Sequence, residues 1–204
     1  MRKPEQELAD IKSMMERSTR FLSLSGLSGI LAGTYALIAA GMAYTWIYYP
    51  NPPYGFRTNY ILDTATLTKL LIAAFMVLTI SIATALILSQ RKSERTSSKL
   101  WTPAGKRFVN ALLIPLVVGG FFCIALFFRG YTIIIAPATL VFYGLALING
   151  SRFTLSDIKY LGYCELGLGI LSAFFPGYGL IFWALGFGVL HIIYGSMMYY
   201  KYDR

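Results

Sequence analysis

Charge is scarce in this 204-residue chain: Asp, Glu, Lys and Arg make up 13% of it, against about a quarter in an ordinary soluble domain. Histidine occurs once, as His191, and cysteine twice, as Cys123 and Cys164. A single histidine cannot furnish both axial ligands of a haem within one chain. No His-Glu-x-x-His, His-x-x-Glu-His or paired-cysteine set is present either, so neither metal nor cofactor is expected. Both cysteines lie inside apolar runs and read as small core residues rather than a disulfide. A cleavable leader is not expected, because the polar N-terminal stretch is long and the first apolar run has no small-residue cleavage site at its end.

What fills the chain instead is apolar. Hydrophobic residues account for 56% and aromatics for 16%, with a mean hydropathy of +0.60. Uninterrupted apolar runs of about 18 or more residues mark transmembrane helices. Six such spans are expected, near residues 21–46, 67–89, 108–128, 131–149, 157–175 and 178–200. Hydrocarbon offers no partner to bare backbone groups, so these spans must be helices. The expected fold is an all-α, polytopic six-transmembrane-helix bundle over residues 21–204, preceded by a polar segment 1–20. Pro115 and Pro137 fall within spans and predict kinks there.

The net charge of +9 is distributed as in a membrane protein. Fifteen Lys and Arg residues fall in the N-terminus, the second and fourth connections and the C-terminus, and three (Arg57, Lys69, Arg129) fall on the other side. Positive residues stay in the cytoplasm, so both termini are expected inside, in a cell membrane such as the bacterial inner membrane. The bilayer is the expected partner of this charge, and nothing that reads grooves or stacks on bases accompanies it, which argues against nucleic acid. Tyr44, Trp46, Tyr48, Tyr49, Tyr54 and Tyr60 fall at the outer boundary, and Tyr199, Tyr200 and Tyr202 at the inner one, where rings with a polar edge settle.

Within residues 4–20, Leu8, Ile11 and Met15 recur at helical spacing among charged residues. This predicts a cytoplasmic amphipathic helix, lying at the interface or docking a partner. Phe127-Phe128-Arg129-Gly130-Tyr131 matches Phe174-Phe175-Pro176-Gly177-Tyr178 at an offset of 47 residues. Either the second half repeats one hairpin, as transporters often do, or FFxGY is simply good turn chemistry at a membrane surface.

Ser25, Gly29 and Gly33 form a small-residue stripe on span 1, which predicts helix packing. Spans 5 and 6 carry stripes with one ionisable residue each: Gly162, Glu165, Gly169 and Ser172 on one, and Ala184, Gly188, His191 and Gly195 on the other. Glu165 lies 11 residues before Pro176 and His191 lies 14 after Gly177. At about 1.5 Å per residue their depths differ by only about 5 Å. Facing stripes would bring the two side chains together, to titrate as one unit. Ionisable groups at such depth cost roughly 2.5–3.5 kcal/mol on insertion scales and are functional by default. Asn110, near the inner end of span 3, is a candidate third polar group.

Two resemblances bear on this reading. Gly26-Leu27-Ser28-Gly29 resembles the GxSG motif of rhomboid intramembrane proteases, which have six spans and a histidine in the last. In that family, however, the serine belongs on span 4, and a glycine follows the histidine by three residues rather than by four, as Gly195 does here. The motif is therefore read as a decoy. The segment Met15-Glu16-Arg17-Ser18-Thr19-Arg20-Phe21-Leu22-Ser23-Leu24-Ser25-Gly26 resembles the start of small bacterial multi-span membrane proteins, a likeness that implies no activity.

The expected function is a transporter-like or ligand- and ion-sensing protein centred on Glu165 and His191. The alternative is a non-catalytic scaffold or regulatory subunit that docks a partner through its N-terminal helix and the basic 89–107 connection. Enzymatic activity is the least favoured reading, and a homo-oligomer is compatible with either of the first two. Topology is directly testable: reporters fused to the two ends should both report the cytoplasm, and termini on opposite surfaces would contradict the charge count.

Overall fold

The computed structural model describes residues 21, 24–48, 64–95 and 101–203. The predicted N-terminal helix, and Tyr49, Tyr54 and Tyr60 of the outer boundary, lie outside the described residues. Within them the chain is helical and contains no strand. Six long helices follow one another: α1 (Gly26–Tyr48), α2 (Thr64–Arg95), α3 (Pro103–Phe128), α4 (Ile135–Gly150), α5 (Asp157–Phe174) and α6 (Gly179–Asp203). Five of them are long and apolar enough to cross a membrane. The exception is α5, whose 18 residues include Asp157, Lys159 and Glu165.

The helices begin and end where local chemistry allows. Thr102 caps α3 by accepting from the Gly105 amide at 3.0 Å, and Pro103 occupies the first turn, where its missing N–H costs nothing. This start lies five residues ahead of the sequence expectation. α2 runs past its apolar run to Arg95, its last turns supported by a Gln90–Glu94 hydrogen bond. Pro115 is interior to α3. Pro137 sits instead near the start of α4, just after the tight turn Thr132–Ile134, rather than in mid-helix. The two FFxGY segments form the α3–α4 and α5–α6 turns. Their glycines, Gly130 and Gly177, take φ of 78° and 92°, a region that side chains with a Cβ avoid.

The distribution of residues is that of a protein dissolved in lipid. Large apolar side chains face outward, Phe75, Phe121 and Phe128 being 69%, 70% and 81% exposed. Alanines dominate the buried hydrophobics, and Ser25, Ser28, Ser89, Ser93, Thr154, Glu165, Ser172 and His191 are buried beside them. Exposed apolar surface on this scale fits contact with lipid tails, which leave only close packing and polar contacts to hold helices together.

Two glycine seams supply that packing. On α1, Gly29 and Gly33 meet α6: a Cβ on Gly33 would fall 2.6 Å from the Gly188 carbonyl oxygen, and one on Gly29 would fall 3.1 Å from the Gly195 Cα. Between α4 and α5, a Cβ on Gly144 would lie 2.8 Å from the Gly162 carbonyl oxygen, and one on Gly169 would lie 2.9 Å from the Val141 amide nitrogen. At Gly33, Gly144 and Gly169 the facing helix is too close for a larger residue unless the helices shift.

A polar knot closes one end. The Asp203 carboxylate, from the last turn of α6, accepts from Ser25 Oγ at 3.0 Å and from the Gly26 amide at 2.8 Å. It thereby caps α1 from across the bundle, where the helix dipole favours a negative charge. Lys92 of α2 donates to the same carboxylate and to the Leu24 carbonyl. Nearby, Phe21 stacks on Phe108, its amide donates to the Phe153 carbonyl and its carbonyl accepts from Thr154. Lys201 and Tyr202 donate to Asp157. The starts of α1, α3 and α5 and the ends of α2, α4 and α6 therefore share one end of the bundle.

The seams make a clear prediction. Gly33→Val should destabilise the protein by about 1–3 kcal/mol, as overpacking does. Gly120→Val, where a Cβ meets open space, should change little. Thermal unfolding in detergent distinguishes the two, and equal effects would contradict the close α1–α6 approach.

Candidate functional site

Glu165 is fully buried in the middle of α5. His191 of α6 reaches it, with Nδ1 at 3.4 Å from Glu165 Oε1. The same Nδ1 lies 3.0 Å from the Gly186 carbonyl oxygen, and Nε2 lies 2.8 Å from the Tyr143 hydroxyl of α4. The arrangement assigns the tautomer. A carbonyl oxygen only accepts, so Nδ1 carries the hydrogen. In the neutral ring Nε2 is then an acceptor, and Tyr143 donates to it.

Local backbone geometry makes room for this. Residues Ala184–Leu190, just before His191, form a widened π-helical stretch within α6, a distortion that recurs at functional sites. Gly186 lies in that stretch directly against the acid: a Cβ there would collide with Glu165 Oε2 and with the Leu140 side chain. Phe187 completes the wall, with its ring centroid 5.0 Å from Tyr143 and 5.9 Å from His191. Tyr143 itself stacks on His191 at 5.4 Å.

The polar accounting of the site does not close. Glu165 Oε1 and Oε2 have no hydrogen-bond donor, and neither does Ser172 Oγ a partner; the approach of His191 Nδ1 to Glu165 is an ion-pair distance, not a formed hydrogen bond. Ser172 is 2% exposed and stands two helical turns from Glu165 on the buried side of α5. Buried orphans of this kind are rare in folded proteins, and an ion, a proton or water is a common reason for them.

The sequence-derived residues distribute in an unexpected way. Glu165 and His191 come together, but the stripes around them do not face each other. Gly162 and Gly169 pack on α4, while Gly188 and Gly195 pack on α1, against Leu37 and the Gly29–Ile30 backbone. The physical reason is that each glycine seam serves a different neighbour, so the acid and the histidine meet across the α5–α6 boundary without their glycines. Asn110 is exposed on α3 and takes no part in the pair. Ser25 serves the Asp203 knot as well as the α1 stripe.

Tyr143, Gly186 and Phe187 were missed by sequence reasoning. A tyrosine at mid-span, away from both boundaries, was the available signal for the first. Ser28, the serine of the GxSG motif, donates to the Ser25 carbonyl at 2.6 Å, and both ring nitrogens of His191 have other partners, so the two do not form a nucleophile–base pair. Among the described residues no third His, Cys, Asp or Glu joins the pair to make a metal-binding group.

No protein-family model, no curated protein and no solved structure matches the chain. The chemistry of this centre is therefore read from its own geometry. Because the chain has one histidine, its imidazole nitrogen-15 spectrum needs no assignment. The spectrum should show hydrogen on Nδ1 and a hydrogen-bonded acceptor at Nε2, and a ring protonated only at Nε2 would contradict the geometry.

Proposed function

We propose that the chain crosses the bilayer six times with both ends in the cytoplasm, and that it is a small transporter-like or ion-sensing protein of the bacterial inner membrane. Glu165 takes up and releases a proton or cation, and His191 is its titrating partner. The charge count over the connections supports the orientation. The polar knot and the Asp157 cluster support a shared end for the helix termini named above, and α5 then completes an even number of crossings.

The observation that carries the function is the carboxyl group of Glu165, wholly enclosed with neither oxygen meeting a hydrogen-bond donor. A carboxylate kept only for packing gains little from this state, since a buried charge that no hydrogen bond satisfies is among the costliest arrangements in a protein. A bound proton or cation removes the difficulty. Uptake into an enclosed site requires movement, and the widened stretch of α6 beside His191 is a natural place for the helix to give.

A second reading draws on the same enclosure. A sealed pair also suits a scaffold or regulatory subunit, in which Glu165 and His191 fix helix packing while the N-terminal segment and the basic 89–107 connection dock a partner. The two readings separate in proteoliposomes loaded with a pH-sensitive dye and given a proton gradient. On the favoured reading, wild-type protein carries protons and Glu165→Gln reduces the flux at least about tenfold while inserting and unfolding like the wild type. Flux unchanged by Glu165→Gln would overturn the reading. Loss of cellular function on deleting residues 1–18, with Glu165→Gln innocuous, would establish the scaffold.

A further inference from the structure

Resting on that reading, we infer that the ligand of the centre is the proton, and that Tyr143 delivers it to Glu165 through the ring of His191. Three groups on three helices already stand in relay order. The Tyr143 hydroxyl donates to Nε2 at 2.8 Å, and on the far side of the ring the hydrogen-bearing Nδ1 stands 3.4 Å from Glu165 Oε1. The Gly186 carbonyl oxygen, 3.0 Å from Nδ1, accepts that hydrogen, a resting position from which a small tilt of the ring offers it to the acid. A ring with one donor nitrogen and one acceptor nitrogen, each aimed at a different oxygen, is the arrangement proton transfer requires. A metal ion would instead need several lone pairs converging on one point, and here the nitrogen nearest the carboxylate carries a hydrogen that the Gly186 carbonyl accepts.

The transfers balance. A hydronium ion gives its proton to the Tyr143 oxygen, the Tyr143 hydroxyl proton passes to Nε2, and the Nδ1 proton passes to Glu165 Oε1. Tyrosine, imidazole and carboxylic acid all end neutral, with the ring in its other tautomer and a water molecule left behind. Running the three transfers backwards discharges Glu165 and restores the starting tautomer. Tyr143 is half-buried and packs beside the apolar cluster of Leu147, Leu155, Ile158, Leu161 and Met198. That cluster reaches the end of the bundle where Asp157 meets Lys201.

Few other groups can mimic the effect. On α4 the one titratable residue is Tyr143. On α6 the titratable residues besides His191 are Tyr194, which contacts Cys164 of α5, and the terminal group from Tyr199 to Asp203. On α5 itself Asp157 and Lys159 sit in the first turn, and Tyr160, Tyr163 and Cys164 are exposed.

The test is infrared spectroscopy after a pH jump, on the full chain in phospholipid nanodiscs, following the carboxylic-acid band that Glu165→Gln removes. Tyr143→Phe should keep the amplitude of that band, yet slow its appearance about a hundredfold, the lower end of what a positioned proton donor contributes. Should the phenylalanine variant fail to fold, the wild type decides the question in mixtures of light and heavy water. Several protons in flight give a bowed dependence of rate on deuterium fraction. An unchanged rate in the variant, or a straight line for the wild type, overturns the relay while leaving Glu165 as the centre. The absence of any titrating carboxyl band removes the centre and the relay together.

Discussion

Hydrocarbon forms no hydrogen bonds, and the rest of the molecule follows from that constraint. Apolar side chains need no shelter from lipid tails, so the large ones point outward and the helices meet through glycine, alanine and serine. Two carboxyl groups meet that constraint in opposite ways. At one end of the bundle Asp203, Lys92, Ser25 and the free amide of Gly26 satisfy one another. In the middle, Glu165 is enclosed without satisfaction. The contrast between these carboxylates is informative: the same chain supplies one with three hydrogen bonds and leaves the other with none.

The unsatisfied acid depends on packing elsewhere. The α4–α5 seam brings Tyr143 beside the boundary where Glu165 projects, and the α1–α6 seam holds the other side of α6. With α6 fixed on that side, His191 and Gly186 are turned toward α5. The widened stretch from Ala184 to Leu190 displaces the ordinary hydrogen-bond ladder so that the Gly186 carbonyl can receive the ring. Structure and proposed chemistry are thus linked through backbone proximity: a methyl group at Gly186 would strike the acid, and one at Gly144 or Gly33 would push apart the helices that frame it.

Much of this was legible in the residues, for reasons of period and solvent. Long apolar runs revealed the helices because lipid leaves the backbone no alternative, and the depth arithmetic from Pro176 and Gly177 brought Glu165 and His191 level because rise per residue is nearly constant. The helix ends were less legible. Thr102-Pro103 is a strong start signal that hydropathy does not register, and Gln90 to Arg95 continue α2 although they are polar. The direction of each stripe was not legible at all, because a glycine seam looks the same whichever neighbour it serves. For the same reason Gly162 and Gly188 were expected to face each other and do not. Tyr143 escaped notice because tyrosine in a membrane protein ordinarily marks the boundary, and its pairing with His191 depends on how α4 is rotated. Asp203, four helices away in sequence from Lys92, gave no periodic signal of its role as the cap of α1.

The central claim is that the enclosed carboxyl group of Glu165 exchanges protons. Hydrophobic carbodiimides enter lipid and modify carboxyl groups in their protonated form, and mass spectrometry locates the adduct. Treated in membranes across a range of pH, the protein should acquire one adduct at Glu165, with a yield that falls as pH rises and is absent from the glutamine variant. No adduct at Glu165 at any pH, or a yield independent of pH, would contradict the account.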